Sequence, residues 1–315
     1  MSGRPARPRV VWRPVDGILL LDKPLGLSSN QALQRARRLY RAAKAGHTGS
    51  LDPLATGLLP LCFGEATKVA GLLLDADKTY RATLALGSRT ATGDREGAVL
   101  ETRPVPVLDQ AIVEACLRRF RGDQQQVPPM YSALKRDGEA LYALARRGVE
   151  VERAPRQVRI LALSLEGLGP DELEFSVTCS KGTYVRTLGE DIASALGTVG
   201  HLASLRRTGI SAFAGLPVHD FETLERLAPD EPALDRLLLP IDAALGNLPA
   251  VALTGEEARR FRQGQTVAPS SGTGATAASG ERIRVYGPET EFLGLGEGLA
   301  GGRIAPTRLL AASMP

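Results

Sequence analysis

The sequence has few of the residues that build metal centres and disulfide frameworks. Its 315 residues include three cysteines and three histidines, and Cys62, Cys116 and Cys179 form neither a CxxC pair nor another metal-ligand spacing. A secretory signal, an apolar run of roughly 18 residues and a GxxxxGKS or GxxxxGKT phosphate loop are all missing. These absences exclude a membrane-spanning helix and a P-loop nucleotide site. They predict a soluble protein of the reducing cytoplasm.

Positive charge is in moderate excess. The formal net charge is +4 and the isoelectric point is near 9.1. Arginine and lysine side chains that neutralise phosphates release condensed counterions, so this balance favours a nucleic acid as partner. Because GC-rich coding sequences also give arginine-rich proteins, charge alone leaves nucleic-acid binding undecided.

Hydropathy patterns divide the chain into three parts. Residues 1–15, rich in proline and arginine, predict a flexible basic arm. Residues 16–245 mix strand patterns, such as GILLLDKP, with helical patterns, such as LQRARRLYRAA after Ser28 or Ser29 as N-cap. Because these patterns alternate without regular βαβ spacing, we predict an α+β domain with a mixed, largely antiparallel sheet.

Residues 248–315 predict a separate small β domain. A short helical pattern, EEARRFRQGQ, precedes a small-residue stretch from Pro269 to Gly280, and three strand patterns follow. We interpret the small-residue stretch as a flexible loop. The domain then has about 65 residues, within the usual range.

Chemistry-bearing residues are concentrated in one segment, AGHTGSLDPLATGLLP, which contains His47 and Asp52. Taken alone, an LDP sequence is typical of a turn, in which the aspartate orders the backbone or caps a helix. The segment as a whole closely resembles the catalytic motif of the TruB family, the bacterial tRNA pseudouridine-55 synthases. Four further segments resemble that family in the same order: GILLLDKPLGLSSN, DKTYRATLALGSRTATGD, VPPMYSALKRDGEALYALARRG, and CSKGTYVRTLGEDI followed by LRRTGIS.

The resemblance covers roughly residues 16–215 and implies a pseudouridine synthase fold with a PUA-like RNA-binding domain after it. The implied substrate is the T stem-loop of tRNA, in which uridine 55 is flipped out, cleaved at its C1′–N1 bond and rejoined through C5. The resemblance implies a monomer that needs no protein partner, metal, nucleotide or other cofactor. The stretch from Pro269 to Gly280 departs from the family pattern.

The resemblance also assigns catalytic residues. It makes Asp52 the carboxylate that attacks, or promotes elimination at, the ribose C1′, and both courses remain open. Tyr80 would stack on the flipped base and assist proton removal from C5. Arg186 would pair with Asp52 and keep it ionised in a dry pocket. From the residues alone, a core tyrosine and a surface arginine are the alternatives.

The remaining site residues are assigned to substrate binding in the same way. Tyr184 and Leu205 would line the base pocket, with Tyr184 on the same strand face as Arg186 if that stretch is extended. His47 would contact the T loop, and Lys23 would support the architecture of the site. A structural histidine and a solvated lysine at the end of a strand are the alternatives.

Residues 124–152 match a family insertion that closes on the RNA stem-loop, with Tyr131, Lys135 and Arg136 as candidate RNA contacts. A basic helix leads into the Asp52 segment, and its charges would grip phosphates or simply face solvent; they are Arg35, Arg37, Arg38, Arg41 and Lys44. Two rival functions are an RNA-binding protein without turnover and a guide-RNA-dependent relative. Intact Asp52, Tyr80 and Arg186 disfavour the first, and the insertion disfavours the second.

Overall fold

One mixed sheet organises the first two thirds of the chain. The computed structural model describes residues 11–270 and 278–311. The strands of the main sheet are β1 (Gly17–Lys23), β2 (Ala45–His47), β3 (Ala55–Phe63), β4 (Lys78–Leu86), β7 (Gly122–Gln126), β10 (Arg156–Leu168), β11 (Glu172–Cys179) and β12 (Gly200–Ile210). Their order is β1-β3-β12-β4-β11-β10-β7, with β2 on β3. The β3–β12 pair is parallel and the other pairs are antiparallel, as the predicted α+β class requires.

Two hairpins and a set of short helices surround this sheet. The hairpins are β5 (Ser88–Thr90) with β6 (Val99–Thr102), and β8 (Lys135–Arg136) with β9 (Glu139–Ala140). The helices are α1 (Ser29–Leu39), α2 (Ala70–Leu73), α3 (Gln110–Arg119), α4 (Leu141–Arg146), α5 (Val185–Ala195), α6 (Phe221–Leu227) and α7 (Glu231–Asp235). Short 3₁₀ helices cover Gly64–Lys68 and Ser211–Phe213.

The N-terminus of α1 explains how the chain turns from β1 into the first helix. Ser28, one of the two predicted N-caps, accepts a hydrogen bond from the Gln31 backbone, and the Gln31 side chain accepts one from the Ser28 N–H. Such a capping box satisfies two backbone donors at the start of the helix. Ala32, Leu33 and Ala36 then form its buried face.

Apolar clusters on both faces of the sheet account for the continuous apolar run in β1. Leu19 and Leu21 belong to the larger cluster, with Leu59 and Leu61 of β3. Ile18 and Leu20 point to the other face, into a cluster with Leu58, Cys62, Ile210 and Phe213. Successive side chains of a strand face opposite sides, so a strand covered on both sides needs apolar residues at every position.

A second, four-stranded sheet forms the C-terminal part, as predicted. Its strands are β13 (Ala250–Ala252), β14 (Arg282–Tyr286), β15 (Phe292–Leu299) and β16 (Arg303–Leu309), and α8 (Gly255–Arg262) packs on them. Leu295 joins Val69 and Leu245 in an apolar contact with the first part of the chain. Lys68 Nζ donates to the Leu309 carbonyl at 2.9 Å. This hydrogen bond is a polar contact between the first part of the chain and the last strand of the second sheet.

Two expectations from the sequence are wrong where the structure describes them. Residues 11–15 are not a free arm, because Val15 is buried and Arg13 forms hydrogen bonds of 2.6 Å to both carboxylate oxygens of Asp235. Residues 1–10 lie outside the described residues, as do residues 271–277 of the small-residue stretch. The strand pattern through Arg186 is also wrong: β11 ends at Cys179 and α5 begins at Val185.

Candidate active site

The Asp52 segment is a loop between β2 and β3 that is anchored on both sides. The buried Ser29 hydroxyl accepts from the Leu51 N–H at 2.7 Å and donates to the Leu51 carbonyl at 3.0 Å. Gly26 N–H donates to the Pro53 carbonyl, and Ala55 N–H donates to the Asp52 carbonyl. These bonds fix the backbone on either side of Asp52, so its carboxylate is held at a defined place above the sheet.

Asp52 and Arg186 are brought together although 134 positions separate them in the sequence. Asp52 Oδ2 lies 2.9 Å from Arg186 Nη2. The Arg186 side chain is only 6% exposed, whereas the Asp52 side chain is 44% exposed. The carboxylate is therefore paired and still accessible, so Asp52 does not lie in the dry pocket that the sequence predicted.

Besides Asp52, three residues from two other segments fix Arg186. Its Nη1 donates to the Thr92 carbonyl at 2.6 Å, and Nη2 donates to the Tyr131 carbonyl at 2.7 Å. On the remaining side, Nε lies 3.9 Å from Asp94 Oδ2. A guanidinium that is held by several acceptors keeps a single orientation. Arg186 therefore also fixes the orientation of the Asp52 carboxylate that it pairs with.

Asp94 is a site residue that the sequence did not single out. It is buried, and its Oδ1 accepts from Thr92 Oγ1 at 2.5 Å and from the Glu96 N–H at 3.1 Å. Together with Asp52 it places the buried Arg186 charge between two carboxylates. In the sequence, Asp94 is the last residue of the segment GSRTATGD. An aspartate at such a place is typical of an ordinary turn, so the pattern did not indicate a site residue.

Tyr80 and Leu205 lie on neighbouring strands beside this pair. In the β4–β12 register Tyr80 is opposite Arg207, and Leu205 is opposite Ala82. Leu205 is 8% exposed and Tyr80 is partly buried. Burial raises the pKa of Tyr80, while the neighbouring Arg207 charge acts in the opposite direction and the Asp52 carboxylate adds to the rise. An apolar residue and an aromatic ring thus line the sheet next to the carboxylate.

Arg207 is the second site residue that sequence reasoning missed. It is one of the largest fully buried side chains, with 1% exposure. Its Nε donates to the Leu58 carbonyl at 2.6 Å, and Nη2 donates to the Gly49 carbonyl at 3.2 Å. Gly57, with φ +98°, allows β3 to approach closely, since a Cβ there would lie 2.2 Å from the Arg207 carbonyl oxygen.

Lys23 is buried and His47 is partly buried, and both lie around the same loop. Lys23 Nζ donates to the carbonyls of Pro24 and Leu27, at 2.9 Å and 2.6 Å. Burial lowers the pKa of Lys23 to about 8, which Asp52 partly opposes. Burial and the Arg207 charge lower the pKa of His47, whose Nδ1 is buried without a hydrogen-bond partner. Lys23 therefore ties together the loop after β1, as a structural role requires.

Tyr184 does not share a strand face with Arg186 but is the residue that precedes α5. The buried Gln126 carboxamide accepts from the Tyr184 N–H at 2.9 Å and donates to its carbonyl at 3.1 Å. Burial raises the pKa of Tyr184, and the neighbouring Ser132 side chain opposes the rise. Gln126 thereby connects β7 to the start of the helix that carries Arg186.

Residues 124–152, the predicted insertion, reach the site at Gln126 and at Tyr131. Tyr131 contacts Arg186 through its carbonyl oxygen. Lys135 and Arg136 lie on the exposed β8–β9 hairpin, where Arg136 Nη1 donates to the Glu152 carbonyl at 2.8 Å. The structure does not bring these two cations to Asp52.

Several cations of the basic helix form ion pairs, hydrogen bonds or contacts with aromatic rings within the chain. Arg35 pairs with Glu225 and lies over the Phe221 ring, and Arg41 pairs with Glu231. Arg37 donates to the carbonyls of Ala42 and Ala43 and lies over the Trp12 ring. Among the described residues, the side chains of Arg38 and Lys44 have no hydrogen bond or ion pair and are exposed.

The described ranges, 11–270 and 278–311, contain no group of three or more His, Cys, Asp or Glu side chains arranged to bind a metal ion. Within the same ranges, no helix has the length and apolar character needed to cross a membrane.

Three family models match successive parts of the chain. Residues 37–185 match the TruB family pseudouridylate synthase N-terminal domain, and residues 186–246 match the tRNA pseudouridylate synthase B C-terminal domain. Residues 249–310 match the pseudouridine synthase II TruB C-terminal model. The matched residues include every strand of both sheets except β1.

Relatives named tRNA pseudouridine synthase B are similar over nearly the full length. The protein of Burkholderia lata is 56% identical over 308 residues, which are 98% of this chain and 94% of the relative. That of Burkholderia mallei is 54% identical over 305 residues, 96% of this chain and 97% of the relative. That of Methylobacillus flagellatus is 53% identical over 300 residues, 95% of this chain and 97% of the relative.

Solved structures share the fold at low sequence identity. A crystal structure of a Cbf5–Nop10–Gar1 complex matches with a TM-score of 0.72 and 21% identity, covering 98% of this chain and 91% of that chain. An archaeal box H/ACA Nop10–Cbf5 complex matches with a TM-score of 0.71 and 21% identity, covering 94% and 86%. These matches confirm the predicted fold class and carry no argument about partners of this chain.

Proposed function

Since the chain belongs to the TruB family of pseudouridine synthases, we propose that it isomerises uridine 55 in the T loop of tRNA, with Asp52 as the catalytic carboxylate. The family makes the protein a tRNA pseudouridine synthase, an isomerase. The position in tRNA, the flipping of the base and the roles of single residues are the proposal. The observation that carries it is an accessible Asp52 carboxylate held at 2.9 Å by a buried Arg186.

Asp52 acts first, at the ribose. The C1′–N1 bond breaks and its electron pair goes to N1 of the uracil, so positive charge develops at C1′. The carboxylate either forms a bond to C1′ or takes the C2′ proton, and both courses need a fixed, accessible carboxylate. Arg186 supplies the fixed orientation through its bonds to Thr92 and Tyr131.

The uracil then turns so that C5 faces C1′. A new C5–C1′ bond forms as the Asp52–C1′ bond breaks or, in the other course, as the proton returns from Asp52 to C2′. The proton on C5 leaves to a base and N1 gains a proton, so that the product is an isomer of the substrate. Tyr80 provides a ring on which the base stacks, worth about 1–3 kcal/mol, and an oxygen that accepts the C5 proton. Leu205 lines the same pocket.

Base flipping follows from the chemistry, because C1′ and both faces of the uracil must be reached. Extrusion costs a few kcal/mol of stacking, which contacts in the pocket offset. In this proposal residues 124–152 close over the stem-loop, with Tyr131, Lys135 and Arg136 as RNA contacts, and His47 contacts the loop where the nucleotide leaves the stack. Tyr184 completes the pocket, and residues 248–315 bind RNA outside the site.

The test is to incubate the purified protein with unmodified tRNA transcript and to map pseudouridine by chemical labelling that stops reverse transcription. We expect one labelled position, in the T loop, and none with a transcript in which uridine 55 is replaced by cytidine. Binding of the transcript without any labelled position would instead support an RNA-binding protein without turnover.

A further inference from the structure

Arg207 is a buried cation that the proposed chemistry does not yet use. Its side chain is 1% exposed, and no aspartate or glutamate of the described residues forms an ion pair with it. Removing a guanidinium from water without a carboxylate partner costs several kcal/mol unless other polar groups compensate. Two carbonyl oxygens, of Leu58 and Gly49, accept from it, which leaves further N–H groups of the fork available.

The neighbouring residue Arg206 shows that this burial is specific. Arg206 pairs with Asp22 through two hydrogen bonds of 3.0 Å and 2.7 Å, and its side chain is 50% exposed. Successive strand residues face opposite sides of the sheet, so only Arg207 faces the side of Tyr80 and the Asp52 loop. The two arginines are thus neighbours in the sequence with the same side chain. They differ in that Arg206 is exposed and paired with a carboxylate, whereas Arg207 is buried.

Arg207 lies between Tyr80 and the catalytic loop. It is opposite Tyr80 in the β4–β12 register, where its charge acts on the Tyr80 hydroxyl, and it also donates to the carbonyl of Gly49, three residues before Asp52. The titratable groups that feel its charge are Tyr80, Lys23, His47 and Lys78, and Tyr80 also faces Asp52 and Cys179. Of these four groups, Tyr80 is the one that becomes an anion when it loses a proton. The Arg207 cation stabilises that anion.

We propose that Arg207 is a positioning residue that holds the Tyr80 oxygen against the reacting uracil and stabilises the phenolate form of Tyr80, which accepts the C5 proton. The inference rests on the proposed function, and specifically on the role given to Tyr80. Tyr80 first loses its hydroxyl proton to solvent. The C5–H bond then breaks, its electron pair restores the C5–C6 double bond, and the proton passes to the phenolate oxygen, which leaves Tyr80 neutral. The positive charge of Arg207 also opposes the rise in the pKa of Tyr80 that burial causes.

The test compares single turnover of a T stem-loop that carries uridine or 5-deuterouridine at the target position. Wild type, Arg207→Gln, Arg207→Lys and the matched control Arg206→Gln are measured from pH 6 to 10, with thermal unfolding to verify folding. We expect Arg207→Gln to lose roughly tenfold or more in rate, as loss of assisted proton transfer does. It should also acquire a primary isotope effect and an optimum at higher pH. Arg207→Lys should recover most of the rate, and Arg206→Gln should behave like wild type.

A rate loss in Arg207→Gln without an isotope effect or a shift in pH optimum would overturn the inference, because a purely structural role slows all steps alike. Should Arg207→Gln fail to fold, Arg207→Lys decides: an isotope effect larger than that of wild type supports the inference, and its absence opposes it. Failure of the proposed function is visible separately, because the wild-type chain would then make no pseudouridine.

Discussion

Asp52 and Arg186 are 2.9 Å apart, yet their side chains differ sharply in exposure, 44% against 6%. Arg186 is held by carbonyl groups of Thr92 and Tyr131, so the buried partner sets the geometry and the accessible partner meets the substrate. The ion pair is therefore a device for orientation, and removing the accessible Asp52 carboxylate should affect turnover more than folding or RNA affinity.

Asp52→Asn is expected to abolish pseudouridine formation while RNA affinity stays within severalfold of wild type. The amide keeps the shape of the side chain but has no negative charge to offer at C1′, and the group acts in the chemical step rather than in binding. Single-turnover conversion and filter binding of the same transcript check this. Turnover comparable to wild type would remove Asp52 from the catalytic role.

Asp94→Asn is expected to slow turnover and to lower the free energy of unfolding by about 1–3 kcal/mol. The reason is that Arg186 is buried and loses one of its two carboxylate neighbours. The control is Asp75→Asn, which removes an exposed ion pair with Lys181 at 2.7 Å and should change stability by less than about 1 kcal/mol. Urea unfolding and single-turnover rates measure both effects, and equal behaviour of the two variants would contradict the role of Asp94.

Asp52, Tyr80 and Arg186 were predicted as site residues from the sequence, because the resemblance assigns a role to each of them on three separate segments. Asp94 and Arg207 were missed for a physical reason. A turn aspartate and an arginine in an arginine-rich chain both read as surface residues, and their burial depends on partners from other elements. The alternation of Leu205 and Arg207 on β12 was a usable signal, since a buried leucine implies that the residue two positions later shares its face.

The same limit applies to the basic helix. Its composition predicted a cationic surface, but the acidic partners of Arg35 and Arg41 are Glu225 and Glu231, each 190 positions away along the chain. No local pattern reports such pairing. The prediction of phosphate contacts is therefore best tested at Arg38 and Lys44, which are exposed.

Replacing Arg38 and Lys44 together by glutamine is expected to weaken RNA binding and to reduce the slope of log affinity against log salt by roughly 0.7–0.9 for each lost phosphate contact. Replacing Arg35 and Arg41 should change the slope less, because Glu225 and Glu231 already compensate those charges. Affinities measured over a range of salt concentrations decide. An unchanged slope in the first variant would mean that this helix face is merely solvated.

Stability should depend on pH through Lys23. Its pKa is lowered by burial from 10.5 to about 8 in the folded chain, so between these values the unfolded chain binds more protons. Stability from this group therefore rises as pH increases from about 8 towards 10.5. We expect the unfolding free energy of wild type to increase relative to that of Lys23→Met over that interval. The comparison isolates Lys23, because the buried thiols and tyrosines titrate in both proteins. A difference independent of pH would contradict a charged, buried Lys23.

An isolated T stem-loop should suffice as substrate, and its conversion should survive exhaustive chelation of metal ions. The residues proposed for chemistry, Asp52, Tyr80, Arg186 and Arg207, all come from the main sheet and its connections. The C-terminal sheet meets the rest of the chain around Val69, Leu245 and Lys68, and none of its described residues contacts those four side chains. It should therefore add affinity for intact tRNA more than it changes the chemical step.

The comparison is made between stem-loop and intact transcript under single-turnover conditions, each at saturating protein. Equal rate constants with weaker binding of the stem-loop would support this division of labour. Chelators also remove magnesium from folded tRNA, so the chelation experiment is best read with the stem-loop, whose structure depends less on the ion. If a stem-loop that binds well is not converted while intact tRNA is, distant tRNA elements or the C-terminal sheet must help to assemble the active site, because bound substrate alone would not then bring C1′ to Asp52.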